Sequence, residues 1–531
     1  MRRLLPYALL WLSLAAGCSE SPASGAKPLS STDAGAPGTD ASGTTAPHVV
    51  NPLADTFVQL FEWPWPDVAK ECTNFLGPKG FTAVQVSPPS EHAVLPNFPW
   101  WERYQTVDYA LDRSRSGTKA DFEDMVRTCA AAGVDIYVDL VINHTTAQAS
   151  GTGSNGTTFT KYAYPGLYTA DDFHQPTCAI ADADYTTNAT HVRVCELESL
   201  ADLDTGAGHV RSAISGYIAS LLQMGVRGFR VDAGKHIAPA DLDAILTLAA
   251  QAAKPAPPPY VFFEVTYQPG EVILPSDYFT VGQDAGVRTG VTEFAYSAVG
   301  DAFLNTGGQT ISALKTFGGS LLPSASAVAF VLNHDTERAQ ALFYQNAPYD
   351  DLANVFLLAW PYGYPAVFSG YAFNRLTQVG RDMGPASDPD GHTLPLYASG
   401  SDTPQCSSPR ATAPFGAWTC EHRSRAVANM VGFRRAAAGA PSVDLWWDDG
   451  SNQIAFARGD RGFVAINRET SSLARTFATG LAAGTYCDVL RGDFANGACS
   501  GPTVAVDPSG QAQVTVAAGD ALAIHAGARL P

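Results

Sequence analysis

The chain has 531 residues, 46% hydrophobic and 16% charged, with 48 Gly, 36 Pro, nine Cys and a formal net charge of −18. That apolar fraction, with 10% aromatics, supports a sizeable core and excludes global disorder. With 51 Asp+Glu against 33 Lys+Arg, the chain lacks the concentrated basic surface that a nucleic-acid binder needs.

The first segments are not globular. Arg2 and Arg3 precede an apolar stretch from Leu4 to Leu14 and the small residues Ala15, Ala16 and Gly17. Residues 1–18 therefore read as an export signal, too short to span a bilayer as a stable helix. In residues 19–47, 24 of 29 are Ala, Gly, Ser, Thr or Pro, and Leu29 is the only large apolar side chain. Burial cannot offset the ordering entropy of such a segment, so residues 19–50 are expected to be a disordered linker spanning roughly 30 Å.

From about residue 55 to 440, short apolar strands alternate with amphipathic helices. Strands are expected at Phe57–Phe61, Thr82–Val86 and Asp135–Val141. Between the last two, Thr118 opens a helix, with Asp121 completing a capping box. Phe122, Met125, Val126 and Cys129 mark its buried face and Gly133 stops it. Helix Val210–Met224, strand Gly228–Val231, helix Ala240–Ala253 and strand Tyr260–Glu264 follow. Val328–Leu332, helix Asp351–Trp360 and strand Ala366–Ser369 continue the rhythm. Residues 145–208 break it, being rich in Gly, Thr, Asp and Tyr. After 441, short strands at Gln453–Ala457, Gly462–Asn467, Thr503–Val506 and Ala521–His525 are separated by turns.

The expected fold is α/β. A (β/α)8 TIM barrel occupies 51–144 and 209–440, with an irregular insertion after strand 3 at 145–208. An all-β antiparallel sandwich occupies 441–531. A doubly wound open sheet is the alternative, but no Gly-rich nucleotide loop follows an early strand.

Polar residues cluster where barrel strands end, which is where such barrels place their active sites. Asp139 and Asn143–His144 follow one strand, Arg230 and Asp232 another, and Glu264 a third. Asn333, His334 and Asp335 follow a fourth. Carboxylates from separate strands, converging with an Arg and two His, suit glycoside hydrolysis, which needs one carboxyl protonated and another ionised. Arg230 shares a strand face with Asp232 and is expected to keep it ionised. The apolar strand before Glu264 favours a raised pKa, as an acid catalyst requires.

These motifs carry a resemblance. Asp139-Leu-Val-Ile-Asn-His144, Gly228 to His236, Glu264 and Phe330 to Asp335 resemble the four conserved regions of the α-amylases of glycoside hydrolase family 13. The likeness is to the animal and actinobacterial type, over roughly 53–530. Val-Gln-Val-Ser-Pro-Pro at 84–89 and Trp-Trp-Glu-Arg-Tyr-Gln at 100–105 also fit that subgroup. The resemblance implies hydrolysis of α-1,4-glucans such as starch and glycogen, with retention. Asp232 would be the nucleophile, Glu264 the acid and then base, and Asp335 the residue binding the hydroxyls of the distorted ring. His144, Arg230 and His334 would bond that ring. Trp100, Trp101, Tyr104 and Gln105 would line neighbouring subsites, with Lys235 and His236 toward the reducing end.

The same comparison implies Ca2+, held by Asn143, Asp202 and the backbone carbonyls of Arg193 and His236. Oxygen ligands suit that hard cation. It also implies no chloride requirement, since Ala366 stands where chloride-activated relatives carry Arg or Lys. Family alignment pairs Cys72–Cys129, Cys178–Cys195, Cys406–Cys420 and Cys487–Cys499, which needs an oxidising compartment. The remaining Cys18 ends a segment resembling a bacterial lipobox and would be lipidated. The chain would then be an exported monomer at the cell surface or outer membrane, or secreted, with membrane contact only through Cys18. Two other readings use the same residues: a transglycosylase of the family, and a catalytically silent glucan-binding lipoprotein.

Overall fold

A computed structural model describes residues 48–531. The export signal, Cys18 and residues 19–47 of the expected linker lie outside the described residues. Val50 is already buried at the barrel floor, where its carbonyl accepts from Arg288 Nη1 at 3.0 Å, so the linker ends before it.

Eight parallel strands close into a barrel: β1 Phe57–Leu60, β2 Ala83–Val86, β3 Asp135–Leu140, β4 Gly228–Val231, β5 Tyr260–Phe263, β6 Arg288–Glu293, β7 Ala327–Ala329 and β8 Tyr364–Ser369. Pairing of Phe57 with Ala366 closes the ring. Gly228 is required by close approach, since a Cβ there would lie 2.4 Å from the Tyr137 ring. The sequence reading missed β6, whose Arg-Thr-Gly-Val-Thr-Glu run holds one large apolar side chain. Strand β7 is shorter than expected because the β6 ladder ends at the Glu293–Ala329 pair. Phe330 to Leu332 stay buried beyond it.

Helices cover the barrel where their apolar stripes fall on it: α1 Trp65–Glu71, α2 Lys119–Ala131, α3 Gly208–Met224, α4 Pro239–Ala252, α5 Tyr349–Ala359 and α6 Arg425–Ala436. Helix α2 begins with the expected capping box. Asp121 N–H donates to Thr118 Oγ1 at 3.3 Å, and Thr118 N–H donates to Asp121 Oδ2 at 2.9 Å. Between β3 and α3, residues 145–208 form a hairpin of Ser150–Thr152 with Thr158–Thr160 and two short helices, Asp184–Thr187 and Ala189–Val194.

The C-terminal region is antiparallel. Strands β9 Asp444–Asp448, β10 Gln453–Arg458, β11 Gly462–Asn467, β12 Leu473–Ala478, β13 Gly484–Cys487, β14 Thr503–Val506, β15 Gln511–Val516 and β16 Asp520–His525 build it. One sheet runs β9-β10-β11-β16, and the pairs β12-β15 and β13-β14 lie opposite. Period-two alternation separates two cores. Ile454, Phe456, Val464 and Ile466 join the barrel core, whereas Ala455, Ala457, Phe463 and Ala465 join the sandwich core. All four expected disulfides are present, Cys72–Cys129, Cys178–Cys195, Cys406–Cys420 and Cys487–Cys499. Among the described residues no helix is long and apolar enough to cross a membrane.

Candidate active site

The barrel register assembles the site. Arg230 on β4 lies opposite Asp139 on β3. Its Nη1 donates to Asp139 Oδ1 at 2.6 Å and to Asp232 Oδ1 at 2.9 Å, while Nη2 lies 2.7 Å from Glu264 Oε1. Asp232 directly follows β4 and Glu264 directly follows β5, so both carboxylates stand at the same rim. The backbone then turns at Ala233, whose φ of 48° lies in the left-handed region. That turn aims the Ala233 N–H at Glu264 Oε2, 2.8 Å away. A non-glycine residue in this conformation stores local strain, and the bond to Glu264 accompanies it.

Asp335 completes the group from the turn after β7. His334 Nε2 lies 3.3 Å from Asp335 Oδ2. Gln59 Nε2 can only donate, so His334 Nδ1 accepts at 3.0 Å and the ring proton sits on Nε2, facing Asp335. Burial, with Arg230 and Arg338 nearby, pushes the His334 pKa well below its ordinary value, so the ring is neutral. Tyr104 stacks on that ring at 5.3 Å and Trp100 meets it edge-on at 5.5 Å.

One guanidinium cannot neutralise four carboxyl groups. Burial, joined by Glu264's charge, pushes Asp232 well above the ordinary carboxylate range despite Arg230. Burial also raises Asp139, against Arg230 and Tyr104, and lifts Asp335 to about 7 with Glu264 adding. Burial and the neighbouring carboxyl groups thus oppose the pull of Arg230 toward ionised Asp232. Protonation of such interacting carboxyls is a property of the cluster and not of one residue.

The other expected residues fall into three places. Trp100 and Trp101 stand half-buried on one wall. The hydroxyl of Tyr104 donates to Asp139 Oδ2 at 2.8 Å, and Gln105 Oε1 accepts from Ala147 N at 3.0 Å, tying the wall to the insertion. His144 is spent internally: its Nε2–H donates to the Tyr104 carbonyl at 3.0 Å, and Asn143 Nδ2 meets Nδ1 at 3.3 Å. Lys235 Nζ pairs with Glu271 Oε2 at 2.6 Å and lies 4.7 Å over the Tyr185 ring. His236 Nδ1–H donates to the Val192 carbonyl at 2.9 Å, and burial lowers its pKa to about 4.

Asn143, Asp202, Arg193 and His236 meet where the insertion joins the barrel. His144 and Asp202 form a β-bridge, and the Arg193 helix packs on the turn Gly234–His236. Asp202 is buried, with His174 Nδ1 at 2.7 Å and Asn143 Nδ2 at 3.4 Å. Burial pushes its pKa to about 6. A buried carboxylate, a carboxamide and backbone carbonyls form a hard-oxygen set that fits Ca2+. Asp388, Asp390 and His392 form a separate surface group, where Asp388 already pairs with His392 at 3.0 Å.

The sequence reading missed Gln59 as the His334 anchor and Tyr185 and Glu271 as partners of Lys235. It noted Asp139 only as a strand-end residue. The period-two face shared by Gln59, Gln85, Asp139 and Arg230 inside the barrel was the available signal.

Comparisons with known proteins point to one family. Residues 77–257 match the alpha amylase catalytic domain, and residues 446–527 match the alpha amylase C-terminal all-beta domain. An alpha-amylase of Thermomonospora curvata is 43% identical over 480 residues, covering 89% of this chain and 73% of its own. Alpha-amylase 1B of Homo sapiens is 40% identical over 506 residues, 90% and 95% of the two chains. Alpha-amylase I of Eisenia fetida, solved as a glutamate-to-glutamine variant with maltohexaose, superposes with a TM-score of 0.79. It is 36% identical, covering 90% of this chain and 98% of its own.

Proposed function

The chain belongs to the alpha-amylase family, and from that membership we propose how its cleft works. The protein is an α-amylase that cleaves internal α-1,4 bonds of starch, glycogen and related glucans. The observation that carries the mechanism is the gathering of Asp232, Glu264 and Asp335 at one rim around Arg230. Asp232 attacks the anomeric carbon while Glu264 protonates the departing glycosidic oxygen. Glu264 then takes a proton from water, which releases the sugar from Asp232. Retention needs carboxyl groups about 5–5.5 Å apart. A single guanidinium touching both favours that short separation.

The Ala233 N–H and Arg230 orient the two oxygens of Glu264 toward the bond it acts on. Asp335 and the neutral His334 bind hydroxyls of the ring being distorted. Trp100, Trp101 and Tyr104 offer aromatic faces to sugar rings. Ca2+, held by Asn143, Asp202 and the carbonyls of Arg193 and His236, would fasten the insertion to the barrel. Chloride is not required. A cavity of about 20 Å³ beneath Arg230 is lined also by Asn333, Thr292 and Ala366, and the Ala366 methyl supplies no second cation there. Export follows from residues 1–18 and the four disulfides; attachment of a lipid at Cys18 belongs to the same reading.

The test is product analysis on amylose, with anomeric configuration read by NMR. Initial products keep the α configuration, and Asp232→Asn and Glu264→Gln each lose essentially all hydrolysis. Acetate in place of chloride leaves the rate unchanged. β-Products or starch hydrolysis surviving both substitutions would overturn the assignment, and dominant disproportionation of maltooligosaccharides would make the chain a transglycosylase.

A further inference from the structure

Arg338 lies three residues past Asp335, in the short helix Thr336–Ala339, and is buried. Among the described residues no carboxylate pairs with it. Its donors go to three oxygens instead. Nη1 donates to the His334 carbonyl at 2.6 Å, Nη2 to the Tyr371 hydroxyl at 2.8 Å and Nε to the Arg381 carbonyl at 3.2 Å. The guanidinium carbon sits 4.5 Å from the Phe373 ring centre, 4.7 Å from Trp100, 5.4 Å from Phe61 and 5.6 Å from Tyr371. Burying a cation without an acid is costly unless its hydrogen bonds are met, and these contacts meet them. The peptide it grips is the one joining His334 to Asp335. The Asp335 side chain lies deep among the charges of the site yet keeps 39% of its own surface open, so packing alone does not fix it and its place depends on this turn.

We propose that Arg338 is a positioning residue for glucan hydrolysis, pinning the turn that bears His334 and Asp335 to the aromatic wall containing Trp100. The carbonyl bond fixes where Asp335 stands, and the stack on Trp100 fixes the sugar platform relative to it. The inference rests on the amylase reading. The charge of Arg338 also favours ionised Asp335, which faces Glu264, Arg230, Asp139 and His334 as well, while Glu62, Glu337 and Asp382 share the field of Arg338.

The experiment compares Arg338→Met, Arg338→Lys and Tyr371→Phe with wild type on soluble starch, recording kcat, KM, the pH profile and thermal unfolding. Arg338→Met lowers kcat about tenfold or more, with a smaller change in KM. Its acidic limb moves to higher pH, because Asp335 loses a favourable charge. Arg338→Lys, which keeps the charge without the fork, returns the limb toward wild type and recovers part of kcat. Tyr371→Phe removes the hydroxyl that accepts from Arg338 and donates to the Met383 carbonyl, and lowers kcat a few-fold in the folded protein. Folded Arg338 variants with wild-type kcat and pH profile overturn the proposal. Should both Arg338 variants fail to fold, a Tyr371→Phe protein with wild-type kcat overturns it. A wild-type chain that leaves starch intact instead refutes the amylase reading beneath.

Discussion

Glu337, two residues beyond Asp335, is buried, with Tyr344 N–H donating to its Oε1 at 3.4 Å. Burial, with Glu421's charge adding, pushes its pKa from 4.5 to about 8. The folded chain therefore holds a proton that the unfolded chain releases. The resulting stabilisation is fully present below the unfolded value and is lost as pH rises through about 8. Glu337→Gln cannot ionise, so its melting temperature should match wild type near pH 5 and exceed it near pH 9. A difference independent of pH would count against this account. Chemistry at this scale was legible where a residue type and a strand end coincide, as at Asp232, Glu264 and Asp335. It was not legible where a neighbour decides the outcome. Nothing in the sequence says that His144 spends both ring nitrogens internally, or that four carboxyls compete for Arg230.

Helix α2 shows what an element reveals locally. Its start depends on residues three apart, so the capping box at Thr118 and Asp121 could be read directly. Thr118→Ala should cost about 1 kcal/mol of stability, and Thr118→Ser much less. Urea unfolding of both measures this, and equal losses would mean that the hydroxyl is not the stabilising group. Strand β6 and the long stretch after β8 were harder because distant partners fix them. Residues 370–424 hold few regular elements, yet Glu71 at the end of α1 accepts from His422 Nε2 at 2.8 Å and from Arg423 Nε at 2.7 Å. Asp67 accepts from the Leu396 N–H. Contacts more than 300 residues apart leave no period in the sequence.

Of two buried arginines, Arg458 joins the sandwich to the barrel and Arg434 ties the barrel's own segments together. Arg434 of α6 donates to the carbonyls of Trp360 and Gly363 at 2.9 and 2.7 Å, and Arg458 of β10 donates to those of Ala359 and Ala440 at 2.6 Å. Both serve helix ends, where carbonyls are otherwise unpaired. Architecture at this scale was read from strand–helix rhythm alone, but these fasteners were not, because their acceptors are backbone atoms without sequence identity. Cys178–Cys195 closes a loop within the insertion itself, and the proposed Ca2+ beside Asn143 and Asp202 would fasten the insertion to the barrel. Excess chelator should therefore lower melting temperature and starch hydrolysis together, with added calcium restoring both. An unchanged melting temperature would remove calcium from the account.

Val50 enters at the barrel floor, beside Arg288, whereas Asp232 and Glu264 stand at the opposite rim. The entry of the described chain and the mouth of the cleft thus lie at opposite ends of the barrel. A support linked directly at Val50 would therefore stand behind the barrel and leave the mouth open to a long polysaccharide.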